Sequence, residues 1–541
     1  MGARVEPASS APPGWPLVVL VAVLLLHAGE VVWVASTDLA LPYLATLDHH
    51  GRAARMYADL FAGGPGIAPR GDRLPAWESF AVHCGYRPPL PIVAAVPAIG
   101  LDPTRPSLGG LAGAGWTALL LVSAYAIGRR LADQPTGLVA AVVLGAFPSV
   151  LGHRILVLPF LPEAACVAAF AAALLAVRAG GRGAHLRAGA WAGAAMLCRW
   201  DAAAFLAALV VWFYVATPRG ERLRAAVRAW PAALAFMVVG GWWYVLHFRM
   251  VFGFYVGEGL ITLEHSHEGI HLLSLANLVF HPVALFTCHA GPVLGVGAAL
   301  ALVWLARARH ASALLLLAWI ALPWLFYLVV PMKSARYLLP AMCPFAVALA
   351  LAARRAGRGW LGGIAAIALS QHLALVHVEG VERTWNGNCN DPASWAQDAF
   401  TLEHSLDVGR IRPWTDPSWK RLVDAFARAA RRVAHEPTDV LMADLGTSEY
   451  LASLELSPWL RLRSCRTLVY GPNALPEAEL ASAVRAHRLI VLTYPDPANE
   501  DPALARVRAA ALVEVAARGA PLAQGTLPDG KRRVRLYGPR R

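Results

Sequence analysis

Long apolar runs separated by short polar turns dominate residues 15–378. The first run, 15–36, is too long for a signal-peptide core and lacks a convincing cleavage site, so it reads as a retained spanning helix. Further runs lie at 107–128, 135–153, 163–178, 186–199, 200–216, 229–247, 283–305, 312–330, 337–353 and 360–378. Each can cross a bilayer with as few as about 17 residues when its ends snorkel. The pair 186–199 and 200–216 is divided only by a turn holding Arg199 and Asp201. The pattern predicts a polytopic α-helical membrane domain over 1–378, with about eleven spans and a long first outside loop at 37–106. Beyond residue 378 the apolar stretches shorten. Asp439–Asp444, Leu468–Tyr470, Leu489–Tyr494 and Arg533–Tyr537 read as strands, and 419–434, 474–487 and 502–518 as amphipathic helices. Residues 379–541 are expected to form a small soluble α/β domain.

Composition agrees with a membrane protein. Of 541 residues, 57% are hydrophobic and 15% charged, against roughly a quarter charged in soluble chains. The net charge of +13 could suggest nucleic acid, but its placement says otherwise. With the N-terminus inside, the inside loops carry Arg129 and Arg130; Arg178, Arg182 and Arg187; Arg219, Arg222, Arg224 and Arg228; Arg307 and Arg309; and Arg354, Arg355 and Arg358. Cytoplasmic loops of membrane proteins show this excess, so the charge fixes orientation and implies no nucleic-acid partner. An odd number of spans places the C-terminal domain outside the cytoplasm. The seven cysteines show no CxxC or zinc spacing and read mostly as small core residues.

The candidate chemistry gathers at the outer face. A loop as long as 37–106 is usually functional. Asp38 stands at the outer end of the first span, where a carboxylate beside the apolar slab can act as general base; it can also be a helix-terminal acid in water. Glu163 follows Pro162 at the start of a span. It suits a site carboxylate, or simply a helix start, where negative charge meets the positive end of the dipole. Lys333 and Arg336 lie outside, against the arginine trend, and are spaced to hold a phosphate; lipid headgroups are the alternative partner. Arg199 can share that role or pair with Asp201. Glu264 and His265 belong to a segment, 258–271, whose His and Glu residues leave a divalent metal open, although no strict metal pattern is present and a solvated loop fits better. Glu30 lies inside the first span about two turns from its outer end; there it is a functional candidate or a paired acid. Trp242, Trp243 and Tyr244 read as interface anchors.

These residues, in order, resemble the GT-C glycosyltransferases, and among them the protein O-mannosyltransferases and bacterial lipid A aminoarabinose transferases. The likeness rests on Thr37-Asp38 ending the first helix and on Tyr86-Arg87-Pro88-Pro89-Leu90 closing the long loop. It continues through Leu161-Pro162-Glu163, Cys198-Arg199-Trp200-Asp201, Glu264-His265 and Lys333-x-x-Arg336-Tyr337-Leu338-Leu339-Pro340. It covers about residues 15–350. Two departures stand out: the second acid is Glu where the family has Asp, and Cys198 replaces the usual Thr. The resemblance implies a GT-C fold and transfer of a sugar from a polyprenyl-phosphate carrier to a lipid, glycan or protein acceptor, with inversion at the sugar carbon. On that reading Asp38 and Glu163 are catalytic, and Lys333, Arg336, Tyr337, Arg199, Tyr86, Arg87, Glu264 and His265 bind substrate. No cofactor is demanded. The competing reading is a transporter or flippase for a lipid-linked or anionic substrate. Such a protein should show inverted repeats and a midplane site; no clear repeat is visible in the sequence.

Overall fold

The computed structural model describes residues 14–37, 87–101, 106–253, 275–329 and 335–378, then 438–444, 462–469, 489–495, 511–526 and 532–538, with isolated residues between. The chain divides into two compact units. One comprises Met1–Val34, Cys84–Ala94 and Gly110–Arg412; the other comprises Ala35–His83, Ala95–Gly109 and Pro413–Arg541.

Most helices lie where the apolar runs predict them, but Leu90–Ile99 falls within 37–106, read as a loop, Arg222–Arg228 within an expected inside loop, and Leu275–Ala284 begins ahead of the 283–305 run. The helices are α1 (Trp15–Thr37), α2 (Leu90–Ile99), α3 (Ala112–Leu131), α4 (Gln134–Gly145), α5 (Pro148–His153), α6 (Phe160–Arg178), α7 (Ala184–Cys198), α8 (Ala202–Ala216) and α9 (Arg222–Arg228). Then follow α10 (Trp230–Phe252), α11 (Leu275–Ala284), α12 (Pro292–Arg307), α13 (Ala313–Val329), α14 (Met342–Ala356) and α15 (Arg358–His377). Among the described residues, six helices are long and apolar enough to cross a membrane, or seven if the bent pair α8–α9 counts as one. Helices α2, α4, α12 and α13 are shorter and apolar. Proline and glycine divide some expected single spans: the 135–153 run breaks before Pro148, and the 283–305 run breaks at the Gly291-Pro292 step.

Burial sorts the bundle. Helix α6 is buried along nearly its whole length, as is α14, whereas α1, α10 and α15 leave most of their apolar surface exposed. Apolar side chains facing outward are what lipid requires of a spanning helix. Close approaches use glycine: Gly240, in the π-turn of α10, meets Gly193 of α7 so closely that a Cβ on either would strike backbone. Helix α10 corrects the anchor reading of its aromatic triplet. Trp243 is fully buried and stacks on His247, and the Tyr244 hydroxyl donates to the Met196 carbonyl. The cysteines are also more varied than expected. Cys84, Cys166, Cys198 and Cys343 are free and buried, but Cys288 is disulfide-bonded.

The second unit contains a five-stranded sheet ordered β2-β1-β3-β5-β4, from β1 (Thr438–Asp444), β2 (Leu462–Val469), β3 (Leu489–Pro495), β4 (Ala523–Thr526) and β5 (Arg532–Tyr537). Strand β1 runs parallel to β2 and β3, and β5 antiparallel to β3 and β4. The sheet core includes Ile490, Leu492, Val534 and Leu536, all alternate residues of central strands. Residues 511–516 are helical, within the expected 502–518.

Candidate functional site

A charged cluster forms where α6 begins, α7 passes to α8, and α13 leads into the 3-10 turn Ala335–Ala341. Pro159 and Pro162 shape the start of α6, and the Glu163 amide donates to the Pro159 carbonyl at 2.9 Å. The Glu163 side chain is fully buried, and neither carboxylate oxygen has a hydrogen bond. Its partner is Arg199, whose Nε lies 3.5 Å from Glu163 Oε2.

Arg199 is the pivot. Its extended backbone ends α7, and its guanidinium donates from Nε to Asp201 Oδ1 at 2.7 Å and from Nη2 to Asp201 Oδ2 at 2.5 Å. Such a fork uses the planar geometry that only arginine offers. The Tyr327 hydroxyl also donates to Asp201 Oδ2, at 2.7 Å. Aromatic rings hold the cation from its faces: Arg199 Cζ lies 4.3 Å from the centre of Phe160 and 4.8 Å from that of Tyr337. Arg336 also stands over Phe160, at 5.1 Å, and Tyr337 stacks on Tyr327. One guanidinium thus faces two carboxylates, with a second guanidinium beside the same ring. Cations fixed over rings are ready to receive negative charge without rearranging, which is how a site stabilises a departing anion.

Of the residues singled out in the sequence, the structure brings together Glu163, Arg199, Arg336 and Tyr337. Arg87 is described, its amide donating to the Cys84 carbonyl at 2.9 Å just before α2. Asp38, Tyr86, Glu264, His265 and Lys333 lie outside the described residues. Arg199 pairs with Asp201, the structural alternative weighed for it. Tyr327 was missed, because nothing in the uniformly apolar 312–330 run marks its hydroxyl as inward-facing. Glu30, read as a functional candidate or a paired acid, is paired in a second buried cluster whose other members were missed. Arg154 Nη1 donates to Glu30 Oε2 at 2.5 Å, and His372 Nε2 lies 2.8 Å from Glu30 Oε1. His27, Arg154 and His372 interrupt apolar runs, which is the signal that could have found them.

These features define a polytopic helical membrane protein with a charged site at one end of its bundle. No protein-family profile and no curated protein matches the sequence. Solved structures do match. ArnT from Cupriavidus metallidurans in the apo state superposes with a TM-score of 0.58 at 17% identity, covering 96% of this chain and 97% of that one. The same protein bound to undecaprenyl phosphate gives 0.60 at 17%, covering 97% and 98%. The archaeal oligosaccharyltransferase AglB from Archaeoglobus fulgidus, in complex with an inhibitory peptide and a dolichol-phosphate, gives 0.47 at 13%, covering 88% and 69%. The chain therefore shares its fold with ArnT.

Proposed function

We propose that this protein is an integral membrane glycosyltransferase. It moves a sugar from a polyprenyl-phosphate carrier to a lipid, glycan or protein acceptor at the outer face. The observation that carries the reading is the buried, hydrogen-bond-free carboxylate of Glu163 against Arg199, with Arg336 held over the same aromatic ring. The fold shared with ArnT supports it.

In the proposed reaction the acceptor oxygen attacks the anomeric carbon as the bond to the carrier phosphate breaks. The bonding pair leaves with the phosphate, and the acceptor proton passes to Asp38. A single displacement of this kind inverts the anomeric centre. Arg336 and Lys333 compensate the charge on the phosphate, with Tyr337, Tyr86 and Arg87 shaping the pocket. Arg199 holds Glu163, which orients the acceptor. Glu264 and His265 are left as substrate contacts, with a divalent cation as their open alternative.

On the proposed topology the cluster sits at the outer end of the bundle. Cys288 supports that side, since disulfides persist in oxidising compartments. On this topology the C-terminal α/β domain, 379–541, is extracytoplasmic. The test supplies membranes with undecaprenyl-phosphate-linked labelled sugars and follows label into acceptors. Wild type should transfer one of them, and Asp38→Asn should lose transfer by at least about a hundredfold. Full transfer by a well-folded Asp38→Asn protein would remove the base from the scheme.

A further inference from the structure

Glu163 raises a question of placement. Its oxygens make no hydrogen bond, so its position is set by the backbone that starts α6. That backbone follows directly from Arg154, which is wholly buried although it is a cation. The cluster around Arg154 draws on three separate parts of the chain. Arg154 Nη1 reaches Glu30 Oε2 of α1 at 2.5 Å and His27 Nδ1 at 3.2 Å. The other carboxylate oxygen faces His372 Nε2 at 2.8 Å and His377 Nε2 at 3.3 Å, both on α15.

His27, Glu30 and His372 offer donor atoms within 4.8 Å of one another, a spacing that suits a metal ion. The guanidinium decides against one. It already holds Glu30 Oε2 and His27 Nδ1. A dication there would stand against a buried positive charge where the dielectric is low and repulsion is strong. Arg154 is itself the cation of this cluster.

A buried ion pair adds little stability over apolar residues of equal size; its use is direction, because its hydrogen bonds accept one geometry. The surroundings of Arg154 are built to the same end. A Cβ on Gly113 would fall on the Arg154 carbonyl, and one on Gly110 on the Ile155 carbonyl, so the start of α3 presses on this turn backbone to backbone. Val31 and Val34 of α1 pack on Ile155 from another side.

We propose that Glu30, Arg154 and His372 are positioning residues: they tie α1, α15 and the turn after α5 together, and so hold the start of α6 where Glu163 meets Arg199. The proposal deepens the glycosyltransferase reading and rests on it for the role of Glu163. The test uses the full chain in detergent. Glu30→Leu with Arg154→Met removes both charges without orphaning either. Amide exchange across 154–163 should then speed up by about tenfold or more, with 129–136 unchanged. The kcat of sugar transfer should fall about a hundredfold, as small misplacements do, while binding of undecaprenyl phosphate stays within about twofold. His372→Gln, whose amide restores a donor to Glu30, should keep both properties, and His372→Ala should lose them; this pair decides the matter if the double variant does not fold. Unchanged exchange and transfer would overturn the tie. So would one zinc bound per wild-type chain and lost in His27→Ala, which would make the cluster a metal site. If wild type transfers no sugar, the proposed function fails, while the exchange profiles still decide the tie.

Discussion

At the residue scale, two acids share Arg199 but differ in what anchors them. Asp201 accepts from both ends of the guanidinium fork and from Tyr327. Glu163 has only the 3.5 Å approach of Nε. An anchored carboxylate stabilises the fold, and an unanchored buried one costs desolvation that the fold does not recover. Opposite outcomes are expected. Glu163→Gln should leave the thermal midpoint in detergent unchanged or raise it, while kcat/KM for sugar transfer falls about a hundredfold. Tyr327→Phe removes a hydrogen bond to a charged group and should cost about 1.5–3 kcal/mol, read as a lower midpoint, with transfer largely kept because Arg199 still grips Asp201. If the two variants behave alike in both assays, the division of roles is wrong.

At the element scale, the same economy appears at the opposite ends of the helices. Asp133 caps α4, its Oδ1 accepting from the Thr136 amide at 2.9 Å, and its Oδ2 accepting from Arg354 Nε at 2.5 Å. Partial burial pushes the Asp133 carboxyl up, but the bonds from Thr136 and Arg354 outweigh it, so it titrates below the usual carboxylate range. The linkage has a definite sign. A depressed pKa gives stability that is present above the ordinary Asp value near 3.9 and is lost as pH falls through the folded value. Acid unfolding of the wild type should therefore be steeper below about pH 4 than that of Asp133→Ala, which should also lose about 1 kcal/mol of cap at neutral pH. Parallel acid profiles would deny Asp133 its part. At the other end of α3, Gly113→Ala should destabilise by about 1–3 kcal/mol, because the Arg154 carbonyl cannot yield without moving α5 or α6.

These elements also show what can be read from sequence. Most helices were legible because long apolar runs have few other uses, and β1, β3 and β5 because their apolar stretches stand out. Strands β2 and β4 were shortened or missed: both lie at sheet edges, where Arg463, Ser464, Gln524 and Gly525 dilute the apolar signal. Trp243 was misassigned for a different reason. A helix apolar all round has no stripe to mark its packed face, so nothing distinguishes it from half-exposed Trp242. In the site, Glu163, Arg199, Arg336 and Tyr337 were readable from motifs. The links Glu30–Arg154 and Glu30–His372 were not, because they join residues 124 and 342 positions apart.

At the scale of the whole chain, antiparallel helices carry their terminal residues to two ends of the helical unit, and the two ends differ chemically. Arg129, Arg130, Asp133, Arg178, Arg307 and Arg354 occur at one set of helix ends. The other set holds Glu163, Arg199, Asp201 and Arg336, with Arg199 and Arg336 fixed by a carboxylate or a ring, together with exposed Arg249. An excess of arginine orients a membrane protein by staying in the cytoplasm, whereas in the proposed function Arg199 and Arg336 have a site to serve on the far side. On the proposed topology the chain beyond α15, which ends at the same set of helix ends as Glu163, lies outside. Exposed Val378 lies just past α15, and Arg309 lies between α12 and α13. In intact cells a membrane-impermeant maleimide should label Val378→Cys and spare Arg309→Cys until the membrane is opened. The reverse pattern would put both the charged cluster and the C-terminal domain in the cytoplasm, and an outward-facing transferase could not be built from this chain.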